Sequence, residues 1–204
     1  MRMFPIVKRA TDVAVGGTVL ALSLPIQLAA GVAIRATMGG PVLFRQQRPG
    51  KDGRVFTMVK FRTMLAPNQM RTSDAERLTR LGRFLRATSI DELPTLWNVV
   101  VGDMSLVGPR PLLVDYLPLY SPAQARRHEV RPGITGLAQV NGRNNCPWHE
   151  RFELDVEYVD TQSLMLDLQI VINTIAKVLQ RDGVSQTGQA TMTPFTGNSP
   201  DPAP

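Results

Sequence analysis

Between Val13 and Ile34 the chain carries no charged residue, and this run restricts the fold more than any other feature. Read as a straight helix at about 1.5 Å per residue, VAVGGTVLALSLPIQLAAGVAI reaches about 33 Å, enough to cross the apolar core of a bilayer. Pro25 stands in its middle. A proline there removes one backbone donor and crowds the preceding turn, so the helix is expected to kink or break. The flanks add a second constraint. Arg2, Lys8 and Arg9 precede the run, and Arg35, Arg45, Arg48, Lys51 and Arg54 follow it. Positive residues favour the cytoplasmic side. A single crossing strands one basic flank on the far side, whereas a helix that enters, bends at Pro25 and returns keeps both in the cytoplasm. The expectation is a re-entrant helix–break–helix anchor over residues 1–36, with a kinked single span as the alternative. The run is too long for a signal peptide, and no cleavage site with a polar mature start follows it.

The remaining chain is long enough for one small domain, expected over residues 37–185. Val42–Phe44 and Val55–Thr63 flank a turn of Pro, Gly and Asp and read as a β-hairpin made basic by Arg45, Arg48, Lys60 and Arg62. Ser73 with Glu76 forms a capping-box pattern for a helix from Ser73 to Ala87. A short helix is expected over Thr95–Val101, another after the Ser121-Pro122 cap, and a further one over Phe152–Tyr158. Arg131–Gly136 reads as a loop and Leu137–Val140 as a strand. Leu168, Val171, Ile172, Ile175, Val178 and Leu179 form a stripe at helical spacing, whose commonest use is core packing and whose other use is lying on a membrane surface. The fold class is therefore α+β: a membrane hairpin, then a cytoplasmic domain of helices with a short β-hairpin and amphipathic interfacial helices. Residues 186–204 are rich in Gly, Thr, Ser and Pro and are expected to form a flexible tail.

Net charge is +6, from 23 Lys and Arg against 17 Asp and Glu. Such a surface attracts nucleic acid, acidic lipid or phosphorylated substrates. No basic recognition helix or aromatic platform stands out, so nucleic acid is not an expected partner. The lone Cys146 rules out an intrachain disulfide, and with His128 and His149 it has no zinc-site spacing.

Asp91 and Glu92 are the candidate reactive groups. Their bland explanation is helix capping, since acids favour a helix N-terminus and Ser89 with Glu92 mimics a capping box. Their neighbours weigh against it. Arg86 lies upstream, and Arg110 is fixed between Pro109 and Pro111, which suits bidentate phosphate binding. Arg131-Pro132-Gly133 and the stretch 139–144, with Arg143, supply further cations and glycine turns able to meet a diphosphate. An acidic pair, several fixed arginines and an anchor together point to phosphate chemistry at a membrane. A membrane-anchored non-catalytic scaffold or anion-binding protein is the alternative; it explains the anchor and the charge but not the acidic pair.

Several ordered stretches carry a resemblance: Lys8-Arg9 to Asp12, Gln47–Gly50, Lys60–Met64, Ser89–Pro94, Trp97–Val99, Gly102–Pro111 and Arg131–Gly136. In this order, over nearly the whole chain to about Val184, they resemble the bacterial sugar transferases, or monotopic phosphoglycosyl transferases. The length is similar to the family's minimal members. Pro111–Tyr120 and Arg181–Ser185 are similar to the subgroup that transfers phospho-N,N'-diacetylbacillosamine to undecaprenyl phosphate in protein glycosylation. One departure is the helix break, Leu24-Pro25 where the family often has Ser-Pro.

The resemblance implies a mechanism. Asp91 is the nucleophile on the β-phosphorus of a UDP-sugar, releasing UMP and holding the phosphosugar as an acyl phosphate that undecaprenyl phosphate then attacks. It implies Mg²⁺ at Asp91 and Glu92, with Glu92 either a metal ligand or a proton carrier. Arg110 is the expected phosphate-binding residue, with Lys60, Arg86, Arg131 and Arg143 as further candidates. The partners implied are UDP-sugar, undecaprenyl phosphate, membrane lipid and downstream glycosyltransferases, and the place is the cytoplasmic face of a bacterial inner membrane.

Overall fold

In the computed structural model, residues 3–67, 73–141, 146–180 and 194–198 are described. The apolar run forms two helices, α1 (Met3–Leu22) and α2 (Leu24–Met38), bent by 57° at the intervening Ser23. Pro25 lies in the first turn of α2, where its missing N–H costs no helical bond. Ser23 supplies a hydroxyl at the bend: its Oγ donates to the Leu20 carbonyl at 3.0 Å and accepts from Gln27 Nε2 at 2.9 Å. The departure at Leu24-Pro25 therefore leaves the break with a local polar partner, one residue earlier. Neither helix alone is long and apolar enough to cross a membrane, but the bent pair passes that test together.

Three polar residues of α1 dock it on the domain. Lys8 Nζ meets Asp167 Oδ2 at 2.6 Å. Arg9 donates to the carbonyls of Val99 and Val100 at 2.6 and 2.8 Å, and buried Asp12 accepts from the Leu106 N–H at 3.0 Å. The basic flank before the run is thus partly a docking surface. Outward, α1 and α2 expose Ile6, Val15, Val19, Leu22, Leu28 and Val32.

Strands β1 (Leu43–Pro49) and β2 (Val55–Phe61) form the expected antiparallel hairpin. Its pairing puts Phe44, Arg48, Phe56 and Lys60 on one face. The open edge of β2 is closed by side chains: the Val59 N–H donates to Asn98 Oδ1 (3.2 Å), Asn98 Nδ2 donates to the Thr57 carbonyl (2.9 Å), and Thr95 Oγ1 donates to the Val59 carbonyl (2.8 Å). Asn98 so substitutes for a neighbouring strand. Ala30 and Ile34 of α2 pack with Phe61 and Leu85 behind the hairpin.

The helix expected from Ser73 to Ala87 is two, α3 (Asp74–Arg77) and α4 (Arg80–Ala87). The Ser73–Glu76 capping box is present. Thr79 interrupts the chain because its hydroxyl caps a second start, accepting from the Gly82 N–H at 2.8 Å. A 3₁₀ segment, Ile90–Thr95, leads into α5 (Leu96–Val101), followed by β3 (Ser105–Val107) and α6 (Pro122–Ala125).

The next expectation is reversed. Gly133–Thr135, read as loop, is strand β4, parallel to β3, while Leu137–Asn141, read in part as a strand, is helix α7. The short apolar run is ambiguous by pattern, and burial of Leu137, Ala138 and Val140 against α8 (Trp148–Thr161) and α9 (Leu164–Gln180) decides it. In α9, Ile170 turns inward, but Leu168, Ile172, Ile175 and Leu179 are exposed. Most of the stripe therefore faces away from the core.

In the stretch expected to be flexible, Phe195 is buried among Tyr116, Tyr120, Trp148 and Phe152. Its N–H donates to Tyr116 Oη at 3.0 Å, and Asn198 Nδ2 donates to the Leu119 carbonyl at 3.1 Å. Phe195→Ala is expected to cost about 3 kcal/mol through the cavity left in this cluster, read as a lower thermal midpoint. An unchanged midpoint would mean that the seat contributes nothing.

Candidate active site

The 3₁₀ segment starts after Ser89, whose φ of 54° is left-handed, an unusual conformation for a residue with a Cβ. Ser89 makes no side-chain cap. Both acids stand in the first turn, but the capping-box reading fails, because the Glu92 carboxylate turns to Arg110, accepting from its Nη2 at 2.9 Å. Asp91 is only 6 % exposed.

Lys60, Arg86 and Arg110 converge on these two acids. Lys60 projects from the Arg48 face of the hairpin, 5.5 Å above the Phe44 ring. Arg86, in the last turn of α4, donates from Nε to Thr63 Oγ1 at 3.1 Å. Burial lowers both the Lys60 ammonium and the Arg86 guanidinium from their ordinary values, and the carboxylates oppose the fall. The Asp91 carboxyl is pushed up to about 6, mainly by burial and then by the Glu92 charge, against the pull of Lys60, Arg86 and Arg110. At neutral pH it remains mostly ionised. The Glu92 charge raises Arg110.

Arg131 goes elsewhere. Its Nε donates to the Gly102 carbonyl at 2.9 Å, where it ties the turn after α5. The glycine turn beside it offers no cradle for a diphosphate, since Gly133 and Gly136 lie backbone to backbone against Gly108. Arg143 lies outside the described residues.

Two further cations adjoin Arg110, one read from the sequence only as charge and the other not at all. Arg48 shares the Lys60 face and feels the Arg110 charge, and burial first, then Arg110, pushes it down to about 10. Arg151 of α8 also interacts electrostatically with Arg110. Among the described residues, Nε of each is buried without a hydrogen-bond partner. Strand alternation with Lys60 marks Arg48 in the sequence; nothing in the pattern of α8 marks Arg151. Lys60, Arg86 and Arg110 outnumber the two carboxylates they surround, so the cluster favours an anionic ligand.

No group of three or more His, Cys, Asp or Glu side chains gathers among the described residues. Adjacent Asp91 and Glu92 nevertheless fit a hard cation that takes one or two carboxylates and completes its shell from phosphates and water.

A family model for bacterial sugar transferases matches residues 3–181. An uncharacterized sugar transferase of Bacillus subtilis, EpsL, is 51 % identical over 196 residues, which span 95 % of this chain and 97 % of that protein. The UDP-glucose:undecaprenyl-phosphate glucose-1-phosphate transferase of Caulobacter vibrioides is 43 % identical over 189 residues, 86 % of this chain and 70 % of its own. The enzyme of the same description from Escherichia coli is 39 % identical over 185 residues, 84 % of this chain and 40 % of its own.

Proposed function

The chain belongs to the bacterial sugar transferase family, and from that premise we propose that it moves a sugar 1-phosphate from a UDP-sugar to undecaprenyl phosphate, releasing UMP. The observation that carries this reading is a buried carboxylate, Asp91, inside a cluster of cations that exceeds it in charge. An oxygen of Asp91 attacks the β-phosphorus and forms an acyl phosphate, as the bond from that phosphorus to the bridging oxygen breaks and UMP leaves with the oxygen. A phosphate oxygen of undecaprenyl phosphate then attacks the same phosphorus. The product is the lipid diphosphate sugar, and the Asp91 carboxylate is regenerated. Lys60 and Arg86 stabilise the charge that builds on the phosphoryl oxygens, and Arg110 orients Glu92 while presenting donors to phosphate. Asp91 and Glu92 would hold a magnesium ion, which would supply charge neutralisation for the diphosphate.

The bent helix pair serves as a re-entrant anchor, which keeps both basic flanks on the cytoplasmic face of the inner membrane, and the exposed apolar face of α9 rests on the same surface. The sugar is chosen from UDP-glucose, UDP-galactose, UDP-N-acetylhexosamines and UDP-N,N'-diacetylbacillosamine. Of Pro111–Tyr120, which resembles the bacillosamine subgroup, Leu112, Leu113, Tyr116, Leu119 and Tyr120 belong to the aromatic core. These five residues report packing more than sugar preference. UDP-glucose leads the panel because it stands in the names of both undecaprenyl-phosphate transferases described above.

The test is the nucleotide product. Purified protein in lipid nanodiscs with undecaprenyl phosphate and magnesium is expected to convert one member of the panel with release of UMP. Without acceptor, intact mass is expected to rise by one phosphosugar. Release of UDP instead would mean that the sugar, not the sugar phosphate, is transferred, and the reading would fall.

A further inference from the structure

Arg110 is 44 % exposed on its side chain, and among the described residues its ion pair is with Glu92. A half-exposed ion pair holds a flexible side chain weakly, so its orientation must come from the backbone beneath. That backbone lacks its own donors on both sides, because residues 109 and 111 are prolines. It is held from outside. The Gly133 N–H donates to the Pro109 carbonyl at 3.0 Å, and Arg127 Nη2 donates to the Arg110 carbonyl at 2.8 Å.

Arg127 is an unusual donor to find there. It and Asp155 are each 2 % exposed. Its Nε and Nη2 donate to Asp155 Oδ2 at 3.1 and 2.7 Å, and its Nη1 donates to Tyr120 Oη at 3.1 Å. The guanidinium carbon lies 5.7 and 5.6 Å from the Tyr120 and Phe152 ring centroids. An apolar pair of similar volume often supports a core as well as a buried ion pair does. Stability alone therefore gives a poor account of it. A planar fork that takes a carboxylate on one side and a loop carbonyl on the other does something an apolar pair cannot.

We propose that the buried Arg127–Asp155 pair, steadied by Tyr120, is the positioning device for Arg110: it pins the peptide plane from which that guanidinium reaches Glu92 and the transferring phosphate. Neither residue touches the reacting atoms. Both act through Arg110, and the role rests on the site reading given above.

The experiment is a double-mutant cycle on UMP release, with UDP affinity measured in parallel by calorimetry. Asp155→Asn keeps the shape and removes the charge; it is expected to lower kcat/KM about 100-fold, the scale of a displaced positioning group. Arg110→Gln alone is expected to lose at least as much. In the Arg110→Gln background, Asp155→Asn is expected to have less than a threefold further effect, because the side chain being positioned is gone. Losses that multiply would overturn the proposal and leave the pair a fold element. Tyr120→Phe, which removes one hydroxyl and keeps the ring, enters the same cycle if Asp155→Asn does not fold, and is expected to be non-additive in the same way. Arg127→Lys keeps the charge beside Asp155 but loses the fork, so it is expected to resemble Asp155→Asn; full activity would count against the proposal. If wild-type protein releases no UMP, the transferase reading fails separately, and the cycle is read on UDP affinity with the same two outcomes.

Discussion

Asp91→Asn is expected to abolish UMP release and, at the same time, to make the protein more stable at pH 8. The first effect follows from the nucleophilic role proposed for Asp91, and a fall of roughly 10⁴-fold or more is the scale for removing such a group. The second follows from burial. The fold raises the Asp91 carboxyl from 3.8 to about 6, so it favours the neutral form, and the ionised form is carried at a penalty. A shift of that size corresponds to about 3 kcal/mol as an upper figure. For a carboxyl raised in the folded state, the associated stability is fully present below about pH 4 and is lost as pH rises through about 6. The advantage of the asparagine variant is therefore largest at pH 8 and vanishes near pH 4, which thermal unfolding at the two pH values measures. Equal midpoints at pH 8 would show that burial does not penalise this carboxylate. The same group predicts that wild-type kcat/KM falls about tenfold per pH unit below about pH 6.

Gly133→Ala is expected to prevent stable folding. A Cβ there would sit 2.1 Å from the Gly108 nitrogen, 2.3 Å from the Thr135 carbonyl oxygen and 2.7 Å from the Gly108 carbonyl oxygen. All three are backbone atoms, so no rotamer change relieves the overlap, and the parallel pairing of β3 with β4 has to open. The expected cost is about 4 kcal/mol or more, at the extreme of single substitutions. Gly17→Ala is the control. Its Cβ would meet only a Val100 methyl at 4.0 Å, and in mid-helix alanine is favoured over glycine by roughly 0.5–1 kcal/mol. A Gly133→Ala protein that unfolds at the wild-type midpoint would refute the close approach.

These two sites also mark where the sequence could and could not be read. The acidic pair, Lys60, Arg86 and Arg110 were legible because each has a local signal: adjacent carboxylates, a basic hairpin, a basic helix end, an arginine between prolines. Their convergence was not legible, since it depends on the alternation of β2 and on how α4 and the proline loop fold back. The Arg131–Gly136 turn misled because glycine beside arginine has two physical uses, a phosphate cradle and a close backbone crossing, which look alike in one dimension. Arg127 and Asp155 were invisible as a pair: an arginine on a short helix and an aspartate in a mixed helix are ordinary surface residues until the chain buries both. The reversal at Gly133–Asn141 has the same origin, because elements of three to five residues take their conformation from their neighbours. The apolar run, by contrast, was readable in outline. A proline in a long uncharged stretch marks a break, which falls here at Ser23, two residues before Pro25.

The docking of α1 through Lys8, Arg9 and Asp12 has a consequence for how the reactants find each other. With the anchor tied to the domain through two adjoining turns of α1, anchor and domain are expected to tilt together. If the pair inserts as the re-entrant anchor proposed above, the altitude of Asp91 above the headgroups is then a built-in constant, like the height of a needle over a record. A lipid carrier meets the site at a fixed level and needs to search only two dimensions, while the water-soluble nucleotide arrives from above.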